Sequence, residues 1–272
     1  MNNAPIGIFD SGIGGLTVMR ALMAHLPNEE FVYLGDTARL PYGTKSGDTV
    51  TRYAVQAAGA LMKRKVKMLV VACNTASAVA LPALEEMFVP VPVVGVIVPG
   101  AEAAMAAAPD GPIAIIATEG TVKGGAYVRA IEAQGSSVPV IQQVCSLFVS
   151  IAEEGLLEGE IAEAIAHRYI DPLVAAMPKP AALVLGCTHF PALKATIANV
   201  AGPDIKLVDS AETTAKAVEE ILRDKNIARA PGAKPAHTFL ATDAPDRFAR
   251  VGEIFLGSPI DPGRVELVDL QG

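Results

Sequence analysis

Two cysteines stand at equivalent places in two similar stretches of the chain. The stretch LVVACNT (69–75) places Cys73 after an aliphatic run, and LVLGCTH (183–189) places Cys187 in the same position. In both, the run is typical of a buried strand, and polar residues after the cysteine begin the next element. A thiol at the start of a helix faces free backbone N–H groups and the positive end of the helix dipole. We therefore expect both thiols to have pKa values below the ordinary value of about 8.5.

Two thiols that face one another can act as a pair of bases. One removes a proton from one face of a carbon, and the other returns a proton to the opposite face. A carbon beside the carboxylate of an amino acid is a very weak acid, so the site must stabilise the negative charge that develops there. Asn74, Thr75, Thr188 and Ser11 supply hydrogen-bonding groups for carboxylates. A single cysteine is more often a small buried apolar residue, and this is our interpretation of Cys145, which lacks the strand-to-helix setting.

A glycine-rich loop, DSGIGG (10–15), follows the first aliphatic run of the chain. Its glycines permit a close backbone approach, and its polar pair stands at a predicted helix start. Asp36 lies at a suitable distance for a dinucleotide fingerprint, but Thr17 occupies the position that should be Gly or Ala. We predict that the loop binds a polar or zwitterionic small molecule, with Asp10 accepting from an ammonium group. The alternative is that Asp10 or Ser11 only caps the helix.

Three further features are candidates for the same site. Tyr42 and Gly43 lie on a loop after the second predicted strand, and this motif alone is weak. His189 comes directly after Cys187-Thr188, where an imidazole can stabilise a thiolate or assist proton movement. Glu153 and Glu154 are adjacent carboxylates after an apolar segment, and their simplest interpretation is surface charge.

Short aliphatic runs alternate with helical patterns along almost the whole chain. This alternation predicts parallel sheets joined by right-handed helical crossovers, that is, an α/β fold with open, mainly parallel sheets. The strands are predicted at 5–9, 30–34, 68–72, 93–96, 113–117, 138–142, 181–185, 205–208 and 237–240. The main helices are predicted at 15–26, 48–65, 75–87, 120–134, 159–176 and 212–224. An exposed loop is predicted at 225–235.

The repeated cysteine motif predicts two similar α/β halves with a cleft between them. Crossing points at 95–100 and 207–212 divide the chain into residues 1–96 plus 210–272, with Cys73, and residues 97–209, with Cys187. Ligands of open α/β sheets bind beyond the carboxyl ends of the strands, where both cysteines stand.

Composition limits the classes of function. The 272 residues are 51% hydrophobic and 19% charged, so the chain can bury a substantial core and is not disordered. The formal net charge of −7 argues against non-specific binding to nucleic acid or to an anionic membrane. No apolar run approaches the roughly 20 residues that span a bilayer, and we expect no signal peptide at the start. Three widely spaced cysteines and four scattered histidines predict neither a disulfide framework nor a metal site, and we expect reduced thiols and a cytoplasmic location.

Taken together, the motifs resemble the bacterial glutamate racemases of the aspartate/glutamate racemase superfamily. The resemblance rests on FDSGIGGL (9–16), PYG (41–43), ACNTAS (72–77) and LGCTH (185–189), which occur in the family's order. It implies two pseudo-symmetric α/β domains with the active site in the cleft between them. The implied activity is cofactor-independent interconversion of L- and D-glutamate, which supplies D-glutamate for peptidoglycan. The implied assembly is a homodimer.

The resemblance also implies a role for individual residues. Cys73 would be the base that acts on D-glutamate, and Cys187 the base that acts on L-glutamate. Groups that assist proton transfer would be Asp10, Glu153 and His189, with Glu154 as an alternative to its neighbour. Substrate contacts would come from Asp10, Ser11, Tyr42, Gly43, Asn74, Thr75, Thr188 and His189.

Three alternatives remain open from the sequence. A relative with the same fold can act on aspartate or another small carboxylic acid. A small-molecule binding protein would carry the two cysteines incidentally, and a redox protein would join them in a disulfide.

Overall fold

The computed structural model describes residues 2–232 and 235–270, in which two separate parallel sheets form the framework. The larger sheet has six strands in the order β10-β9-β2-β1-β3-β4, and the smaller has four in the order β6-β5-β7-β8. The strands are β1 Ile6–Asp10, β2 Phe31–Gly35, β3 Met68–Val71, β4 Val93–Gly95, β5 Ile113–Ala117, β6 Val140–Val144, β7 Ala182–Gly186, β8 Lys206–Asp209, β9 Thr238–Ala241 and β10 Val265–Leu267. Every strand pair is parallel, which confirms the predicted fold class.

Helices fill the connections between the strands. Their bounds are α1 Leu16–His25, α2 Gly47–Lys63, α3 Asn74–Val79, α4 Leu81–Met87, α5 Ile97–Ala107, α6 Glu119–Gly124, α7 Ala126–Ala133, α8 Leu147–Glu153, α9 Glu160–Val174, α10 Lys194–Ala201, α11 Ser210–Asp224 and α12 Pro245–Leu256. Short 3₁₀ turns lie at Tyr42–Thr44, Phe190–Leu193 and Pro262–Arg264. Strands β1, β2, β5 and β7 are buried along their whole length, as expected for parallel sheets covered by helices on both faces.

Two predicted helices are interrupted. The helix predicted at 75–87 is two helices that meet at Ala80, which ends α3 and caps the start of α4, where Pro82 cannot donate a backbone hydrogen bond within the first turn. The helix predicted at 120–134 is divided into α6 and α7 by Gly125, whose left-handed φ of 60° favours glycine. The predicted crossing points are not loops, since α5 begins at Ile97 and α11 begins at Ser210, directly after β8.

The chain enters the smaller sheet through α5, and α11 leads it back to the larger sheet. Helix α11 packs against both α1 and α5. One apolar core runs through both halves, joining Leu16 and Phe255 to Leu185 and Phe190. The domain boundaries at 96 and 210 therefore stay a prediction. The loop predicted at 225–235 has no helix or strand in its described part, and residues 233 and 234 lie outside the described residues.

Candidate active site

Three strand ends from the two sheets meet at one cavity. Strand β1 ends at Asp10, β3 is followed by Cys73, and β7 is followed by Cys187. The two cysteines line the same cavity, which is small, about 30 Å³. Its lining residues are Ser11, Pro41, Tyr42, Gly43, Cys73, Asn74, Thr75, Thr118, Val149, Cys187, Thr188 and His189. Cys73 and Cys187 are only 5% and 6% exposed as whole residues, so bulk water has little access to either side chain.

Cys73 is the N-cap of α3, and its sulfur accepts a hydrogen bond from the backbone N–H of Ala76 at 3.4 Å. The expected fall in its pKa is nevertheless wrong. Burial raises the pKa of the Cys73 thiol to about 12, the Asp10 carboxylate adds to the rise, and the Ala76 and Ser11 hydrogen bonds oppose it. A helix of only six residues does not offset the desolvation of a buried thiolate.

Cys187 has a different environment. It precedes a 3₁₀ turn, and the next α-helix begins at Lys194. Its sulfur lies 3.8 Å from Nδ1 of His189, and Nε2 of that ring lies 3.1 Å from Oε1 of Glu153. The other carboxylate oxygen, Oε2, accepts a hydrogen bond from Nη2 of Arg247 at 2.8 Å. A continuous polar chain therefore runs from the sulfur to a guanidinium on α12.

Burial and the hydrogen bonds of this chain shift the pKa values of His189 and Glu153. Burial lowers the pKa of His189, but the hydrogen bonds to Cys187 and Glu153 outweigh burial and raise it to about 10. Burial raises the pKa of Glu153, but the hydrogen bonds from His189 and Arg247 dominate and lower it to about 2. Near neutral pH this is an imidazolium–carboxylate pair. The neighbouring Glu154 is exposed, so of the two adjacent carboxylates it is Glu153 that reaches the site.

Asp10 lies behind the cavity wall and is fully buried. Its Oδ2 accepts from the backbone N–H groups of Gly12 at 3.2 Å and Gly15 at 3.1 Å. Burial raises its pKa, while His189 and the loop N–H groups oppose the rise. Its other oxygen, Oδ1, is buried without a hydrogen-bond partner among the described residues, and so is Oδ1 of Asn74. Two unpaired buried acceptors beside one cavity favour a ligand that carries N–H donors.

Hydrogen-bond networks hold two further residues that the sequence predicted for the site, Tyr42 and Thr75. The hydroxyl of Tyr42 donates to the buried carboxylate of Asp36, which also accepts from Nε of Arg39 at 2.8 Å. The hydroxyls of Thr75, Thr118 and Thr121 lie within 3.0–3.2 Å of one another and join α3 to the start of α6.

A second set of contacts ties the glycine-rich loop to the Cys187 motif. The hydroxyl of Thr17 donates to the carbonyl of Thr188 at 2.9 Å. Gly14 lies directly against the same motif, because a β-carbon built there would be 2.4 Å from Nδ1 of His189.

The structure therefore places Ser11, Tyr42, Gly43, Asn74, Thr75, Thr188 and His189 around the two thiols, with Asp10 and Glu153 directly behind. Sequence reasoning missed Pro41, Thr118 and Val149. Thr118 follows the carboxyl end of β5, and the same strand-end rule that selected the cysteines would have found it. Val149 is an apolar residue of α8 with no signal in the sequence.

The described residues contain neither a metal cluster nor a membrane-spanning helix. No group of three or more His, Cys, Asp or Glu side chains within 2–232 and 235–270 is arranged to hold a metal ion. No helix in that part of the chain combines the length and the apolar character needed to cross a bilayer.

Comparison with known proteins gives a consistent picture. The family model described as Asp/Glu/Hydantoin racemase matches residues 14–218. The chain is 48% identical to a glutamate racemase of Geobacter metallireducens, over 98% of this chain and 97% of the relative. A glutamate racemase of Syntrophus aciditrophicus is 46% identical over the same shares. The solved structure of a Francisella tularensis glutamate racemase in complex with D-glutamate has a TM-score of 0.91 and 38% identity, covering 100% of this chain and 99% of that one.

Proposed function

Because the chain belongs to the Asp/Glu/Hydantoin racemase family, a family of isomerases, we propose that it interconverts L- and D-glutamate with Cys73 and Cys187 as two opposed bases. The observation that carries the proposal is the cavity itself. Two thiols from two different sheets line it together, and the polar side chains predicted to hold an amino acid surround them.

The reaction balances within the chain's own groups. For D-glutamate, the Cys73 thiolate takes the α-hydrogen as a proton, the C–H bond breaks, and its electron pair passes into the α-carboxylate. The Cys187 thiol then gives its proton to the opposite face of the carbon. L-glutamate reacts by the same steps in reverse, and each turnover exchanges the protonation states of the two sulfurs.

The surrounding groups lower the barrier for this proton transfer. The His189 imidazolium is the positive charge beside Cys187, and a cation next to a sulfur stabilises its thiolate. The unpaired oxygen of Asn74 lines the cavity and accepts from the substrate ammonium group, and the buried Asp10 carboxylate behind the wall adds negative charge on that side. The hydroxyls of Ser11, Thr75 and Thr188 and the Tyr42-Gly43 turn bind the carboxylates, where hydrogen bonds stabilise the developing negative charge. Burial of the cavity keeps bulk water away from the two cysteines, and the lower local dielectric strengthens these bonds.

The central test removes each thiol separately. Cys73→Ala and Cys187→Ala should each abolish racemisation, measured by circular dichroism from either enantiomer, because one base cannot serve both faces. The matched control is Cys145→Ala, which removes a fully buried thiol outside the cavity lining and should keep the activity. Each inactive variant should still eliminate a leaving group from one enantiomer of a suitably substituted glutamate, for which one base suffices. Full racemisation by either single variant would refute the role assignment.

Substrate choice is tested by exchange of the α-hydrogen in heavy water. Solvent deuterium should enter both enantiomers of glutamate and not enter aspartate at a comparable rate. Exchange with aspartate alone would favour the aspartate alternative, and wild-type binding without exchange would favour a binding protein. Reversible loss of both thiols under mild oxidation, without racemisation, would favour a redox role.

The cellular setting is a further part of the proposal. The thiols of Cys73, Cys145 and Cys187 are free, which fits a reducing cytoplasm. We propose that the product D-glutamate supplies peptidoglycan synthesis and that the active form is a homodimer. Growth that depends on added D-glutamate after depletion of the protein would support the first point, and sedimentation of a monomer at assay concentration would refute the second.

A further inference from the structure

Arg247 lies on the C-terminal helix α12, which sequence patterns did not associate with any function. Its Nη2 donates to Oε2 of Glu153 at 2.8 Å. The same carboxylate faces Nε2 of His189 through its other oxygen, Oε1, at 3.1 Å. The carboxylate is thus shared, with one oxygen for the imidazole and one for the guanidinium. Glu153 is 13% exposed and Arg247 is 40% exposed, so the pair lies at the edge of the buried site.

This hydrogen bond crosses from one half of the molecule to the other. Glu153 is the last residue of α8, which follows β6 of the smaller sheet, whereas α12 lies between β9 and β10 of the larger sheet. The same helix also contacts His189 directly, because the ring of Phe255 packs edge-on against the imidazole with the ring centroids 5.0 Å apart. Helix α12 therefore contacts both members of the imidazolium–carboxylate pair.

We infer that Arg247 is a positioning residue, which fixes the carboxylate of Glu153 and through it the imidazole of His189 against Cys187. A glutamate side chain that is held through one oxygen only can rotate and bind water instead. Its acceptor oxygen then faces His189 for only part of the time. A guanidinium is planar and always charged, so it holds the second oxygen in a defined direction. This inference rests on the proposed function, in which Cys187 is one of the two bases.

The experiment compares four proteins. Arg247→Ala removes the anchor, Arg247→Lys keeps a cation, and Arg250→Ala removes an exposed arginine of the same helix as the matched control. Arg247→Ala should lower kcat about tenfold with KM within about twofold of wild type, because the lost contact orients a reacting group and does not bind substrate. Arg247→Lys should recover most of the loss, and Arg250→Ala should match wild type.

Chemical rescue separates positioning from a structural role. Arg247 lines a cavity of about 250 Å³ together with Ile13, Leu40 and Phe248, so a guanidinium ion has room to enter. Millimolar guanidinium should restore kcat of Arg247→Ala severalfold, whereas sodium chloride at equal ionic strength should not. A kcat of Arg247→Ala equal to that of Arg250→Ala would overturn the inference. So would a loss that neither lysine nor guanidinium repairs, since that result would make Arg247 structural.

A second readout needs no substrate. The rate at which iodoacetamide alkylates Cys187, followed by mass spectrometry of its peptide, should fall severalfold in Arg247→Ala and not in Arg250→Ala, because His189 is held less firmly beside the sulfur. An unchanged rate would contradict the inference. If the wild-type protein does not racemise glutamate, the proposed function fails, and the alkylation rates still decide the role of Arg247.

Discussion

Gly14→Ala is a one-carbon change that should disable the site although it replaces none of the reacting groups. Gly14 lies in the turn between β1 and α1, and a β-carbon built there would be 2.4 Å from Nδ1 of His189 and 2.6 Å from Oγ1 of Thr188. Ordinary contacts of a β-carbon begin at about 3.4 Å. The imidazole must therefore move by about 1 Å, or the turn must retreat by the same distance.

Both movements disturb the alignment of His189 with Cys187. The sulfur-to-Nδ1 distance is already 3.8 Å, and the bond from Nε2 to Glu153 is 3.1 Å, so a shift of this size breaks at least one of them. A misplacement of about 1 Å in an active site lowers rates roughly 100-fold. We expect kcat/KM of Gly14→Ala to fall by about this factor. Overpacking of this buried contact should also reduce the free energy of unfolding by about 1–3 kcal/mol.

The matched control is Gly59→Ala, the same substitution in the interior of α2. A β-carbon at Gly59 meets nothing within 4 Å, so only the backbone effect remains. Alanine in a helix interior is favoured over glycine by about 0.5–1 kcal/mol, and this variant should be slightly more stable and fully active. Racemisation is measured by circular dichroism and unfolding by urea titration. A kcat/KM of Gly14→Ala within about threefold of wild type would refute the argument that this contact sets the position of His189.

Two further predictions concern pH and the wall of the cavity. Glu153, with a pKa of about 2 against an ordinary 4.5, stabilises the fold fully above pH 4.5 and loses this contribution as pH falls toward 2. His189, with a pKa of about 10 against 6.5, contributes fully below pH 6.5 and loses its contribution as pH rises toward 10. The difference in unfolding free energy between wild type and Glu153→Gln should therefore shrink at acid pH. The difference between wild type and His189→Gln should shrink at alkaline pH. Differences that do not change with pH would contradict both assignments. Asp36→Asn should destabilise the fold by about 3–5 kcal/mol, because it removes the buried charge that pairs with Arg39 and accepts from Tyr42. Urea titration of this variant and of the exposed control Asp110→Asn measures the difference in unfolding free energy. Equal values for the two variants would show that Asp36 does not stabilise the cavity wall.

The sequence was most informative where burial dictates residue type. Strand β5, Ile113–Ala117, is buried on both faces and therefore consists of aliphatic residues that are visible as a run. Strand β10, Val265–Leu267, was missed because it has three residues, pairs with β9 only, and carries an exposed glutamate at its centre. The breaks at Ala80 and Gly125 were missed because the helical pattern continues across them, although Pro82 and Gly125 are the local signals that mark them.

The site was predictable to the extent that its residues follow strand ends in recognisable motifs. Cys73 and Cys187 satisfy this condition, and the structure brings them to one cavity. Arg247 does not, because it lies 94 positions from Glu153 in the chain and only the packing of two helices brings the two residues together. The expected fall in the pKa of Cys73 failed for a different reason, since the sequence shows the helix that follows the thiol but not the depth at which the thiol is buried.

The two cysteines share a motif but not an environment. Thermodynamics limits how this difference can affect the kinetics of the two directions of the reaction. Cys73 meets a backbone N–H and a nearby carboxylate, whereas Cys187 meets an imidazolium anchored by Glu153 and Arg247. L- and D-glutamate have equal free energies in water, so the ratio of kcat/KM for the two directions must be one for wild type and for every variant. A change on the Cys187 side therefore slows both directions equally in kcat/KM, and the asymmetry of the site is visible only in how each direction divides that loss between kcat and KM. Measuring both directions of Arg247→Ala and Gly14→Ala thus carries an internal check, because unequal kcat/KM values would mean that the measured reaction is not a simple racemisation of glutamate.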